Sequence, residues 1–279
     1  MRKGRDGGRG TGDGRLGLML VGLLALVMVA PFLYMVATSL MDECEAFQWP
    51  PRLWPATPHP ETYAAALGAV PFARFFLNSA IVAGCVVAGQ VFTSATAAYA
   101  FARLRFPGRD RVFLAFLSAL MIPAIVLLIP RFLMIDALGW VDSYASLIST
   151  ELVSVWGIFM LRQFFMTLPR ELEDAARLDG AGEWTILWRV VLPPSRPALA
   201  TLAVFAFADQ WRSFLWPLIV TRSVEMQVVE VGLANFHGLY PANWPYQMAA
   251  AVTATLPLLA VFFVAQKYFI RGIQVTAPK

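Results

Sequence analysis

Long apolar runs separated by short arginine-bearing segments set the pattern of this chain. A helix needs roughly 20 apolar residues to cross about 30 Å of hydrocarbon. Six runs reach that length: residues 16–40, 75–101, 112–133, 144–166, 198–220 and 248–270. The fifth is the least regular, because Asp209, Gln210 and Arg212 interrupt it. Three longer polar stretches separate the runs. Residues 41–74 carry Pro50, Pro51, Pro55, Pro58 and Pro60. Proline removes an amide donor and fixes φ, so an extended, irregular loop is expected there rather than helix. Residues 221–247 form a second loop and residues 167–197 a third.

Charge gives the runs an orientation. Residues 1–15, 103–111, 162–196 and 267–279 hold seventeen of the 22 basic residues. In a six-span chain these segments lie on one side, and basic residues collect on the cytoplasmic side. Both termini are therefore expected in the cytoplasm. The first apolar run exceeds the roughly 7–15 residues of a secretory signal core, so it reads as an uncleaved anchor. The Gly- and Arg-rich residues 1–15 read as a disordered tail that meets anionic lipid.

Composition supports lipid as the main solvent. The chain of 279 residues is 58% hydrophobic and 14% charged, with a mean hydropathy of +0.62. A soluble chain carries about 25% charged residues. Two cysteines are too few for a disulfide scaffold, and Cys85, inside an apolar run, reads as a free packed thiol. A net charge of +4 would raise nucleic acid as a partner of a soluble domain. Here the basic residues sit at the ends of apolar runs, so no nucleic-acid partner is expected.

The stretch 167–197 carries the densest local signal. Pro169 suits a first helical turn, and Glu171, Glu173 and Asp174 complement the positive end of a helix dipole. A short helix over 169–178 is expected, then a break at Asp179-Gly180 and a second helix from Ala181, stopped at Pro193-Pro194. The product is an L-shaped knob with Ala175 and Ala176 exposed. Small residues there allow close backbone approach, and the acidic rim can pair with basic groups of a partner.

This stretch resembles the EAA loop of ABC importer permeases: Glu-Ala-Ala, three residues, Gly, nine residues, Ile-x-Leu-Pro. Asp174-Ala175-Ala176 is followed at the same spacing by Gly180, and then by Val190, Val191, Leu192 and Pro193. Asp174 stands for Glu and Val190 for Ile, and Glu173 sits one place earlier. Other stretches resemble the second permease subunit of maltose-type, carbohydrate-uptake importers. They are FARFFLNSAIVAG from Phe72, AYAFARLRFPGRDR from Ala98, LMIPAIVLLIPRFLMIDALGWVDSYASLI from Leu120, WRSFLWPLIV from Trp211 and QKYFIRGIQVTAPK from Gln266. The end, Val275 to Lys279, departs from the family pattern.

The resemblance implies an all-α integral membrane protein with six transmembrane helices. It implies the type I ABC importer permease fold with cytoplasmic coupling helices, in a bacterial plasma membrane. On that reading residues 1–15 are a tail, 16–40 the first helix, 41–74 an extracytoplasmic loop, 75–270 the permease core and 271–279 a second tail. The coupling residues it implies are Glu173, Asp174, Ala175, Ala176, Asp179, Gly180, Ala181, Leu192 and Pro193. The implied partners are a second permease, two ATPase subunits, an extracytoplasmic solute-binding protein and membrane lipid. ATP and Mg would sit on the ATPase, with no cofactor on this chain.

The sequence also lacks certain motifs. No GxxxxGK[ST] loop, HExxH or GxSxG occurs, and His59 and His237, both expected in outside loops, are too few for a metal site. A stand-alone secondary transporter or channel is the competing reading, but it needs coupling-ion groups and, often, inverted repeats, and no convincing repeat is visible.

The polar break in the fifth run supplies candidates for a translocation path: Asp209, Gln210, Trp211 and Arg212. Asp209 and Arg212, at i and i+3, are placed to pair, and Trp211 offers a face for sugar rings. An internal ion pair with Trp211 packed in the bundle is the equal alternative. Gly84, Gly89, Gly139 and Gly157 are expected at close helix contacts, Asn78 as an interhelical donor, and Pro123, Pro130, Pro217 and Pro257 at kinks.

Overall fold

The computed structural model describes residues 11–239 and 243–274. All regular structure among them is helical. The helices are α1 (Thr11–Ser39), α2 (Glu43–Ala46), α3 (Glu61–Ala69), α4 (Phe72–Arg103), α5 (Arg109–Ser118), α6 (Leu128–Ala137) and α7 (Tyr144–Ile148). They continue with α8 (Val155–Thr167), α9 (Glu171–Leu178), α10 (Glu183–Ile186), α11 (Arg196–Trp211), α12 (Leu215–Val220), α13 (Val229–Leu239) and α14 (Trp244–Gln274).

Three stretches are single helices long and apolar enough to cross a bilayer: Gly17–Ser39, Phe72–Arg103 and Trp244–Lys267. The other apolar runs are bent. Arg109–Met121 and Ala124–Ala137 meet at 94°, and Tyr144–Glu151 and Val155–Thr167 at 41°. The third run is thus not one straight helix. Pro123 has no amide to continue the ladder, and Ile122 before it takes an extended backbone. The fifth run also breaks, since α11 ends at Trp211 and α12 begins only at Leu215.

Other expectations change. Residues 41–74 are not wholly irregular, because α3 forms beyond the prolines, and residues 221–247 contain α13. His237 accordingly lies in a helix rather than a loop. The tail expected over 1–15 gives way to helix at Thr11, while residues 1–10 and 275–279 lie outside the described residues. Cys85 is exposed, as is Cys44. Pro130 and Pro217 sit in the first turns of α6 and α12, where a missing amide costs little, so they kink nothing. Pro31 and Pro257 lie inside α1 and α14.

The chain divides into two compact units. The first comprises the described residues up to Ala69 together with Phe236–Thr253. In it, Ser39 and Tyr63 join hydroxyls at 2.7 Å, and the His59 amide donates to the Leu40 carbonyl at 2.9 Å. The apolar side chains of α1 from Leu18 to Leu33 are exposed, as lipid-facing side chains are.

The second unit comprises Val70–Asn235 and the chain from Ala254. Its axis is α4, whose buried face is rich in small residues, among them Ser79, Ala83, Ser94, Ala95, Ala98 and Ala102. Such residues let helix backbones approach in lipid, where apolar attraction between helices is weak. α8 and α11 pack on that face. A Cβ on Gly157 of α8 would fall 2.7 Å from Ser94 Oγ and 2.8 Å from Leu202 Cδ1. Gly89 faces Leu152 in the same way, and Gly232 meets the Phe75 ring. A Cβ on Gly84 or Gly139 would meet no atom within 4 Å among the described residues; Gly139 serves a turn at φ +68.

α4 also satisfies the broken backbone between α7 and α8. Gln90 Nε2 donates to the Glu151 carbonyl and Thr93 Oγ1 to the Leu152 carbonyl, both at 2.8 Å. Ser154 caps α8 by accepting the Gly157 amide at 3.0 Å. At the other end of α4, Asn78 Nδ2 donates to the carbonyls of Glu225 and Gln227 at 2.7 and 2.8 Å, and its Oδ1 accepts from Tyr144 at 2.7 Å. Asn78 is thus a donor to the short 3-10 turn Val224–Met226 and the residue after it, and an acceptor from α7.

Candidate functional site

The elbow forms where the chain leaves α8. α9 carries Glu171, Glu173 and Asp174 in its first turn and Arg177 in its last, which matches the helix dipole at both ends. It closes in a Schellman motif. The Gly180 amide donates to the Arg177 carbonyl at 3.0 Å and the Ala181 amide to the Ala176 carbonyl at 2.9 Å. Gly180 is left-handed at φ +82 with open space around it, so the backbone and not crowding demands glycine there. α10 then continues as a single π-type turn over Leu187–Val191, in which the Leu192 amide reaches the Leu187 carbonyl at 2.9 Å. Pro193-Pro194 ends it.

The elbow differs from the expected knob in which side chains it shows. Ala175, Asp179 and Gly180 are exposed, but Ala176 and Ala181 pack against the core formed by Tyr99, Leu161, Phe165, Ile186 and Leu187. Leu192 is buried in that core and Pro193 is exposed. Exposed apolar groups cover the outside: Leu172, Leu178 at 90% exposure, Trp184 and Trp188.

One acid of the rim turns inward, while Glu171, Asp174 and Asp179 stay exposed. Glu173 is buried, with its Oε1 2.8 Å from Arg103 Nε at the end of α4. Asp174 and Glu183 share Arg177, at 3.0 and 3.1 Å. Tyr99 donates its hydroxyl to Glu183. The hydrogen bonds from Arg177 and Tyr99 hold the Glu183 carboxyl below the usual carboxylate range, and Glu183 in turn pushes Arg177 up. Glu173 is therefore not presented to a partner, because burying a carboxylate requires a local cation.

A second polar feature lies where α11 breaks. A groove of about 520 Å³ is lined by Gln90, Glu151, Trp156, Phe205, Asp209 and Arg212 among others. An adjoining one of about 630 Å³ is lined by Arg131, Glu151, Asp209, Gln210, Arg212 and Trp216 among others. Asp209, Gln210 and Arg212 thus share one polar surface. Trp211 does not join them. It is 3% exposed, stacks on Phe207 with centroids 5.4 Å apart, and donates its indole N–H to the Ala254 carbonyl at 2.9 Å. The expected Asp209–Arg212 pair also does not form among the described residues. Arg212 Nε instead turns back to the Ala208 carbonyl at 3.3 Å, which also accepts the Arg212 backbone amide in the last turn of α11.

Two residues of this surface carried no local sequence signal as a pair. Arg131 of α6 and Glu151 form an ion pair, and the Arg131 guanidinium lies 4.3 Å above the Trp216 ring. Gln210 Nε2 reaches Glu151 at 3.5 Å. An arginine beside a span break was the only available sign, since Glu151 lies in a separate run.

A family profile described as binding-protein-dependent transport system inner membrane component matches residues 90–275. The sn-glycerol-3-phosphate transport system permease protein UgpE of Yersinia enterocolitica serotype O:8 / biotype 1B is 34% identical over 264 residues, covering 92% of this chain and 93% of that one. Its namesake from Rhizobium meliloti (strain 1021) is 32% identical over 265 residues, with coverage of 92% and 93%. Among solved structures, a bacterial ABC transporter involved in the import of the acidic polysaccharide alginate contains a similar chain. The TM-score is 0.81 at 25% identity, over 92% of this chain and 96% of that one. A second alginate transporter structure, in complex with an alginate pentasaccharide-bound periplasmic protein, shares the fold, with a TM-score of 0.65 at 16% identity.

Proposed function

Because the chain belongs to the family of binding-protein-dependent transport system inner membrane components, we propose that it is one of two permeases of an ATP-driven importer. It supplies half of a path for a carbohydrate or a related solute, with glycerol phosphate esters among the candidates. Relatives named for sn-glycerol-3-phosphate transport, which it matches over nearly its whole length, support that solute range. The alginate importer structure supports a carbohydrate class.

The mechanism follows from the parts. A solute-binding protein delivers its cargo to the extracytoplasmic loops. Two separate ATPase subunits carry ATP and Mg and close on each other. This chain has no phosphate-binding loop of its own. The exposed apolar surface of the elbow docks in a cleft of one ATPase. Closure then tilts the spans, and the groove around Asp209 and Arg212 becomes part of the route. Both termini lie in the cytoplasm, as the arginine distribution favours.

The observation that carries this reading is the elbow: a Schellman-capped helix fixed to the ends of α4 and α8, with Leu172, Ala175 and Leu178 turned outward. The test is co-expression with neighbouring genes and purification in mild detergent. An ATPase and a second permease should copurify, and the reconstituted complex should take up solute only with ATP and binding protein present. Uptake by this chain alone, driven by an ion gradient, would replace an ATP-driven importer with a secondary transporter.

A further inference from the structure

Arg103 ends α4 at the root of the elbow, and three elements converge on it. Its side chain is 2% exposed and that of Glu173 is 4% exposed. Nε lies 2.8 Å from Glu173 Oε1 on α9, and Nη2 donates to the carbonyls of Phe165 and Leu168, at 2.5 and 2.8 Å, where α8 ends. The Nε–H is not aligned on Oε1 for a hydrogen bond, so attraction between the two charges holds that contact. One turn back on α4, Tyr99 donates to Glu183 on α10. Arg177 closes the circuit, 3.5 Å from Glu173 and 3.1 Å from Glu183. The elbow is thus tied to α4 at two residues spaced i, i+4, on one side of the helix.

We propose that Arg103 and Glu173 are a positioning pair that locks the elbow to α4, so that a push on α9 moves the span instead of flexing the joint. This rests on the coupling role proposed above. An apolar joint such as the Ala176–Tyr99 region can slide by small steps, because one methyl contact replaces another. A buried charge pair cannot, since any separation strands a charge without water. The joint therefore has no low-energy half-open position. The same arrangement removes Glu173 from the exposed face of the elbow, where Leu172, Ala175 and Leu178 lie beside Glu171 and Asp174.

The test uses the complete importer, with its ATPases, second permease and binding protein, in proteoliposomes. The readout is solute taken up per ATP hydrolysed, which a loss of folded protein alone does not change. Glu173→Gln keeps the shape and removes the charge. It should assemble with the ATPase and hydrolyse ATP, with the ratio lowered by about tenfold, while Glu173→Asp restores most of it. Tyr99→Phe removes only the second tie and should lower the ratio about threefold at unchanged yield. A Glu173→Gln ratio within twofold of wild type overturns the proposal. So does equal loss in Glu173→Gln and Glu173→Asp, or an unchanged ratio in Tyr99→Phe should the Glu173 variants fail to fold. If the wild-type chain binds no ATPase, the coupling role itself fails, and that outcome appears before any variant is made.

Discussion

The indole N–H of Trp211 donates to the carbonyl of Ala254 at 2.9 Å, bridging the end of α11 to the middle of α14. Ala254 lies one turn before Pro257 inside α14, and its carbonyl accepts the indole N–H from a separate helix. Trp211 thus fastens helices together, with its ring buried instead of open to the groove. Trp211→Ala should lower stability by about 3–5 kcal/mol, the cost of a buried aromatic truncation, and Trp211→Phe by about 1 kcal/mol for the lost hydrogen bond. Thermal unfolding in detergent reads both. A Trp211→Ala protein of wild-type stability but deficient in uptake would return Trp211 to the path.

Gly180 and Gly182 offer an internal control. Both face open space, but Gly180 sits at φ +82 and Gly182 at φ −75. Gly180→Ala should cost about 1–2 kcal/mol of local stability through left-handed strain and reduce uptake several-fold. Gly182→Ala should leave uptake intact. Ala176→Asp should abolish uptake, because it places an unpaired carboxylate against the core. Uptake assays at matched membrane levels check all three.

Close approach distinguishes a second set of glycines. Gly157→Val should destabilise the protein by about 1–3 kcal/mol through overpacking against Ser94 and Leu202. Gly84→Ala, which meets nothing within 4 Å, should change the unfolding temperature by little. Equal behaviour of the two would show that α8 and α4 do not meet as described.

The elbow's charges predict a pH response with a definite sign. The Glu183 carboxyl is held below its ordinary value by Arg177 and Tyr99. Its stabilisation is therefore full above the unfolded carboxylate pKa of about 4.3 and fades as pH falls through the lower folded value. Proteolysis of the elbow in inside-out vesicles should be unchanged from about pH 8 to 5 and should accelerate only under more acid conditions. Acceleration already near neutral pH would contradict the pairing.

The apolar runs and the elbow were legible because both are local. Run length reports membrane thickness, and a helix that ends in Asp-Gly with Pro-Pro beyond needs nothing distant. What escaped depends on partners far along the chain. Glu173 reads as a rim acid until Arg103 is brought beneath it. Arg131 reads as a stray cation until Glu151 meets it. Asp209 and Arg212 look paired by spacing, but the Arg212 side chain turns back to the Ala208 carbonyl. The 94° bend at Pro123 has a visible cause, yet its angle is set by packing. The helix Glu61–Ala69 was hidden by the prolines that precede it.

The proposed coupling is a push on the elbow from a separate ATPase. It is tested most directly by crosslinking from Ala175→Cys, an exposed position on α9, in a background with Cys44→Ser and Cys85→Ser. In intact membrane vesicles the thiol should crosslink to an ATPase subunit, with a yield that changes when ATP is added. If no ATPase is captured at that position or at Gly180→Cys, while the importer still transports, the elbow is not the coupling element.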